Sequence, residues 1–185
     1  MSYTSPTRFG NPYSNKMVYE AMSDKALSDN TMPEHLSIRA LGAVDAPELS
    51  AMLRAQRAEY ARFFHPFGFD ERAVESVLAK SERDVYSAIY LEGQLVVFFM
   101  LRGWDDGFDV PAFGVLVDEA HRGSGLEMLS LDAAKTICKL RGARRIMLKM
   151  HPENISTKAV ARKIGFVFTR EDGDTGNLIY HYDLA

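Results

Sequence analysis

The sequence predicts a mixed α/β (α+β) domain: a central, mostly antiparallel sheet containing one β-α-β unit, with helices on both faces. Three observations predict it. The apolar strand at 113–117, a helical period over 125–141 and a second apolar run at 144–150 make one crossover, which places two strands parallel. Pairs of apolar runs joined by tight turns stand before and after that unit, as antiparallel hairpins do. Two helical patterns near the start and a short one after the crossover supply the covering layers.

Residues 1–35 are rich in Ser, Asn and Pro and carry no sustained period, so composition makes them an N-terminal extension. Its Tyr3, Phe9, Tyr13, Met17 and Tyr19 need a surface to pack on, either the chain's own domain or a neighbouring subunit, and a homodimer is one expectation that follows. Residues 36–185 form a single domain. "SIRAL" (37–41) is a short strand, and Pro47 opens the helical pattern "PELSAMLRAQRAEYARFF" (47–64). "HPFGF" breaks it, and Asp70 caps a second helix, "ERAVESVLAKS" (71–81). "VYSAIYLE" and "LVVFFMLRG" form a hairpin around Gly93-Gln94, and the turn "WDDGFD" leads into "PAFGVLV" (111–117). The crossover helix repeats apolar residues at Leu126, Leu129, Ala133, Ile137 and Leu140, and Gly142 stops it. "RRIMLKM", the short helix "NISTKAVARKI", "FVFTR", the turn "EDGDTG" and "NLIYHYD" complete the order β-α-α-β-β-β-α-β-α-β-β.

Composition bounds the function. A hydrophobic content of 46%, a formal net charge of −3 and no dense Lys/Arg block argue against a general nucleic-acid binder. No run of 18 apolar residues exists and the amino terminus lacks a basic segment followed by an apolar one, so no membrane partner and a cytoplasmic location are expected. Cys138 is the sole cysteine, which excludes an intramolecular disulfide, and no His, Asp or Glu spacing makes a metal site. Its helical setting reads as a small buried residue.

The stretch "HRGSGLE" (121–127) carries the chemistry. Gly123 and Gly125 permit positive φ and close backbone approach, and successive amides at a helix start form an anion nest that the helix dipole strengthens. Arg122 adds a fixed cation, whereas Glu127 puts a carboxylate where another small residue would suit a phosphate. Together with "RRIMLKMHPEN" and "NISTKAVARKIGF", this stretch resembles the Gcn5-related N-acetyltransferase (GNAT) family. Its loop pattern Arg/Gln-x-x-Gly-x-Gly/Ala is matched by Arg122 and Gly125 and imperfectly by Glu127. Its second signature, an Asn eleven residues before Gly-Phe, is matched by Asn154 and Gly165-Phe166.

The resemblance implies a GNAT-like fold and acetyl-coenzyme A as co-substrate. It implies that Val115, Leu116 and Val117 of a splayed strand bond the pantetheine, that the amides of Gly123, Ser124, Gly125, Leu126 and Glu127 take the pyrophosphate, and that Asn154 touches the pantetheine arm. The reaction implied is direct attack by a primary amine on the thioester, and the usual thiolate acid, a tyrosine four residues before Gly-Phe, is replaced by Ala161. The acceptor is expected at the loops "FFHPFGF", "GWDDGFD" and "EDGDTGN". Phe64, His65, Trp104, Asp105 and Asp106 are candidate substrate contacts, and His65, Asp105 and Asp109 candidate proton acceptors. The segments "YARFFHPFGFD" and "LIYHYDL" also resemble GNAT proteins of bacterial surface-polysaccharide or amino-sugar pathways, so a small amine, an amino sugar or nucleotide-linked sugar, is the expected acceptor. Glu127 and Ala161 together motivate an alternative: a catalytically degraded module that binds acyl-coenzyme A or a protein without turnover.

Overall fold

The computed structural model describes residues 35–184. The expectation of a packed N-terminal extension falls outside the described residues. Seven strands make one sheet: β1 (Leu36–Ala40), β2 (Val85–Leu91), β3 (Gln94–Arg102), β4 (Ala112–Val117), β5 (Arg145–Met150), β6 (Val167–Glu171) and β7 (Leu178–Asp183). Their order is β1-β2-β3-β4-β5-β7-β6, and only the β4–β5 pair is parallel. The helices are α1 (Ala46–Ala55), α2 (Ala58–Ala61), α3 (Glu71–Lys80), α4 (Leu126–Leu140) and α5 (Ile155–Lys163).

Alternation along the central strands builds two cores, since successive side chains leave a strand on opposite faces. Tyr86, Ala88, Phe98 and Leu116 meet Leu49 and Leu53 of α1 and Val74 and Leu78 of α3 on one face. Phe99, Leu101, Phe113, Val117, Ile146 and Tyr180 meet α4 and Ala161 of α5 on the other. Asp70 caps α3 as expected, its carboxylate accepting from the Ala73 N–H.

Two local expectations need correction. The helix anticipated over 47–64 breaks after Ala55, where Gln56 and Arg57 are both extended. Gln56 turns its side chain inward, and its amide donates to the Met52 carbonyl (2.9 Å), taking the place of a backbone donor one turn on. The buried face of α4 is also partly shifted from the expected one: Leu126 is buried and Ala133 and Ile137 pack against the core as expected, but the two remaining positions do not. Leu126, Ser130, Leu131, Ala134 and Cys138 are buried, while Leu129 and Leu140 are exposed. The small side chains at four-residue spacing, Ser130, Ala134 and Cys138, let the helix lie close to the strands. The buried Ser130 hydroxyl bonds the Glu127 carbonyl (2.8 Å), so it leaves no orphan group. Cys138 is buried as expected, and burial pushes its thiol pKa up to about 11.

The end of β5 is tied to the β6–β7 turn by Lys149 and Asp172 (2.5 Å). Lys149 and the Thr175 hydroxyl hold the Asp172 carboxyl down at about 2. Two outcomes are expected. Phe98→Ala, which empties the centre of the α1–α3 core, should cost roughly 3–5 kcal/mol in urea denaturation. Because the Asp172 pKa is depressed in the fold, its contribution is complete above the unfolded carboxylate value and fades as pH falls towards about 2. Acid titration of thermal stability should therefore lose one such step in Asp172→Asn.

Candidate functional site

The site begins where β4 and β5 separate. They pair at a single position, Ala112 opposite Met147, with the Met147 N–H donating to the Pro111 carbonyl (2.9 Å). Beyond it the strands diverge. The Asp118 N–H donates to the Val96 carbonyl (2.7 Å), which sets the phase of the β3–β4 ladder, because bonded and non-bonded pairs alternate. Gly114 and Leu116 thus turn their backbone groups to β3. Val115 and Val117 turn theirs into the gap. Of the three residues expected to meet pantetheine through backbone groups, Leu116 has those groups in the ladder and its side chain in the α1–α3 core. The Val117 carbonyl accepts from the Tyr60 hydroxyl (2.7 Å), which leaves the Val117 N–H and both groups of Val115 facing the gap.

The chain then makes a short 3-10 turn (Glu119–His121) and enters the glycine loop. Gly123 has φ 73° and Gly125 φ 85°. Nothing stands within 4 Å of where a side chain at either would project, so open space lies over the loop. Gly125 serves as N-cap of α4, a helix of 15 residues. Among the described residues the amides of 123–127 donate to no carbonyl or side chain, and the first internal bonds begin at Met128 and Leu129, both to the Gly125 carbonyl. Five free N–H groups at the positive end of a long helix are an anion cradle by geometry.

A network that sequence reasoning missed anchors the loop to α1. The Gln56 side chain donates to Asp118 Oδ1 (2.9 Å) and accepts from the Glu119 N–H (2.8 Å). His121 Nδ1 lies 2.8 Å from the other Asp118 oxygen, and the Ser124 hydroxyl donates to the His121 carbonyl (2.6 Å). Burial alone would raise the Asp118 pKa, but the Gln56 and His121 hydrogen bonds prevail and hold it below the ordinary carboxylate value. Arg57 pairs with Glu119 at the exposed side (Nε to Oε2, 2.8 Å). Arg122 lies over the Tyr60 ring, its Cζ 4.9 Å from the centroid. Burial pushes the Tyr60 hydroxyl up to about 12, and the Glu127 carboxylate is near enough to add to that rise. Glu127 is half-buried and forms no ion pair within 4 Å among the described residues.

Past the gap, Asn154 caps α5, its Oδ1 accepting from the Thr157 N–H and the Ser156 hydroxyl (3.2 Å each). Its amide nitrogen keeps both protons to donate. Gly165 has φ 95°, and Phe166 folds back so that its N–H meets the Ala161 carbonyl (2.9 Å). Ala161 itself is buried in the α4 core and offers no hydroxyl.

The expected acceptor loops divide. Phe63 stacks on His151, just past β5 (5.0 Å, 17°), and so bridges the open end of the gap. Phe64 approaches Gly114 of β4, and the exposed His65 stacks on Phe69. These lie on the loop that crosses β4. Trp104, Asp105, Asp106 and Asp109 do not. Arg141, at the far end of α4 from the glycine loop, covers the Trp104 ring (4.8 Å), so roughly 22 Å of helix separates them from the cradle. Asp105 accepts from the N–H groups of Glu82, Arg83 and Asp84 (3.2, 2.7 and 3.2 Å), and Asp84 returns the bonds to Gly103, Trp104 and Asp105. This reciprocal lock joins two turns at the closed end of the sheet. The lock ties up Asp105, and their place at the far end of α4 sets Trp104, Asp105, Asp106 and Asp109 apart from the cradle, against the expected proton-transfer and acceptor roles.

Two surface cavities lie outside the gap. One of about 580 Å³ wraps the start of β6, and one of about 340 Å³ lies beside Trp104 and Arg141. Neither contains a residue of the glycine loop, and the site is marked by its free backbone groups. No cluster of metal-binding side chains occurs among the described residues, and none of the described helices is long and apolar enough to cross a membrane.

Comparison with known proteins agrees with this geometry. A family model described as an acetyltransferase (GNAT) domain matches residues 35–167. No curated protein matches the chain. Among solved structures, the PaiA N-acetyltransferase of Thermoplasma acidophilum in complex with coenzyme A has 15% identity and a TM-score of 0.67, covering 80% of this chain and 99% of that one. The GNAT domain of S. lividans PAT has 19% identity and a TM-score of 0.68, over 80% and 89%. The ribosomal-protein-S5-alanine acetyltransferase from Vibrio fischeri has 16% identity and a TM-score of 0.66, over 83% and 96%. At such identities the structural likeness speaks for the fold. With the family model spanning more than half of the residues, the splayed β4–β5 pair and the glycine cradle take their place in a known lineage: the chain belongs to the GNAT acetyltransferase family.

Proposed function

We propose that the chain is an acetyl-coenzyme A–dependent N-acetyltransferase that moves the acetyl group to a primary amine of a small molecule. The observation that carries the reading is the pair of free donor sets that flank the 3-10 turn: the N–H groups of Val115 and Val117 in the gap and the amides of 123–127 at the helix start. A splayed strand with no ligand leaves polar groups unsatisfied at roughly 1–3 kcal/mol each where water does not reach them. An extended amide chain ending in a diphosphate matches that pair: amides along the strand, anion at the helix start. Val115 and Val117 would hold the pantetheine, residues 123–127 with Arg122 the pyrophosphate, and the Asn154 amide the arm.

The bound thioester supplies an activated acyl carbon, and the chain's contribution is placement and electrostatics. The Val115 N–H, facing the gap, is placed to polarise the acetyl carbonyl. A neutral amine entering beneath Phe63 and His151 attacks the carbonyl carbon, the thiolate leaves with the sulfur electron pair, and the surplus amine proton passes to solvent or a nearby base. His65 and His151 are the imidazoles on that side, and Ala161 provides no phenol for the thiolate. The stacked pair Phe63–His151 and the aromatic Phe64 offer flat faces suited to a sugar ring, which supports an amino sugar as acceptor. The S5-alanine enzyme acts on a protein amine, and a peptide amino terminus is the contrasting acceptor to try.

Isothermal titration with acetyl-coenzyme A tests the reading, followed by thiol release across amino sugars, polyamines and amino-terminal peptides. Binding in the micromolar range with amine-dependent thiol release is expected. No heat at high micromolar cofactor would sink the proposal. Binding without release on any amine would favour the non-catalytic module that Glu127 and Ala161 motivate. Glu127→Gln should tighten acetyl-coenzyme A by about fivefold or more at low salt, since a carboxylate about 4 Å from a phosphate costs about 1 kcal/mol in water and more when desolvated. The gain should shrink as salt is raised.

A further inference from the structure

The side chain that meets both parts of the proposed cofactor site is Tyr60, and neither motif of the sequence contains it. It stands on α2, just past the break at Gln56 and three residues before Phe63. Its hydroxyl donates to the Val117 carbonyl (2.7 Å), a group that the ladder turns into the gap. Its ring lies under the Arg122 guanidinium (4.9 Å), the one cation of the loop itself. The ring is half-buried whereas Arg122 is exposed, so the ring is the fixed partner and the guanidinium the one being held. Without that seat, an exposed arginine loses substantial rotamer freedom when it meets a ligand. The hydroxyl stays protonated at any physiological pH, because burial has raised its pKa to about 12.

We propose that Tyr60 is a positioning residue for acetyl-coenzyme A: its ring pre-orients Arg122 toward the pyrophosphate, and its hydroxyl occupies the Val117 carbonyl that would otherwise be an orphan acceptor in the gap. The two functions separate chemically. The ring acts on the anionic end of the ligand and the hydroxyl on the strand. Phenylalanine keeps the first and lacks the second, while leucine lacks both. The proposal rests on the acetyl-coenzyme A reading above.

The test is calorimetric binding of acetyl-coenzyme A, and of ADP as a probe carrying the diphosphate alone, to the full chain and its variants. Tyr60→Leu should weaken both ligands by about three- to fivefold, the range of a cation–π contact at an exposed site. Tyr60→Phe should bind both within about twofold of the wild type, because the cation–π seat remains, but melt below it, because the Val117 carbonyl loses its donor. In a double-mutant cycle, Tyr60→Leu should add no further loss to Arg122→Gln. Thermal midpoints of the variants guard against simple unfolding. An unchanged Tyr60→Leu, a Tyr60→Phe as weak as the leucine variant, or losses that multiply in the double mutant would each overturn the proposal. A wild type that binds neither ligand would instead overturn the cofactor reading.

Discussion

The single backbone pairing between β4 and β5 is the constraint on which the rest of the molecule depends. Parallel neighbours in a sheet ordinarily satisfy one another along their length. Here one junction, at Ala112 and Met147, holds the two halves of the sheet together on this line, and the divergence above it gives the fold its opening. Everything that surrounds the opening compensates for it. Helix α4 closes the far side with small residues so that it can lie against both strands. The Gln56–Asp118 network pins the strand end to α1, and Phe63 on His151 spans the mouth. The same divergence that weakens the sheet leaves free the backbone donors proposed to hold the cofactor, so stability and the proposed function draw on one set of groups.

Much of this was legible in the residues. Turn chemistry and strand alternation gave the element order, because each local preference agreed with the global arrangement. The glycines at 123 and 125 announced a positive-φ loop, and the structure places both there. What stayed hidden depended on distant partners. Gln56 looks like any polar helical residue, and its role appears only once Asp118, sixty-two positions later, is folded against it. The small residues of α4's buried face were missed for a related reason, although Leu126, Ala133 and Ile137 were read correctly. Periodicity favours large apolar side chains, whereas close packing on a sheet selected Ser130, Ala134 and Cys138.

The acidic turn at 104–109 teaches the opposite lesson. Carboxylates and an aromatic in a turn beside the crucial strand suggested an amine site, and their residue types were indeed suitable. Direction decided otherwise: the turn enters β4 from its amino end, whereas the cradle leaves from the carboxyl end. Asp105 and Asp84 exchange backbone hydrogen bonds there and fasten two loops. In a crossover unit the helix length sets how far apart such ends must lie, so strand polarity was the missing discriminator.

The burial of Cys138 has a practical side. The chain's one thiol is sealed under α4 and, with its pKa near 11, is almost wholly uncharged at neutral pH. A disulfide reagent in solution meets the thiolate rather than the thiol, so the native protein is nearly silent to it. Colour developing in a mixture with an acyl thioester then comes from thiol released by the thioester, with spontaneous hydrolysis subtracted by a blank without enzyme. Denatured, each chain releases one equivalent, which makes the same residue an internal gauge of how much protein in the cuvette is folded.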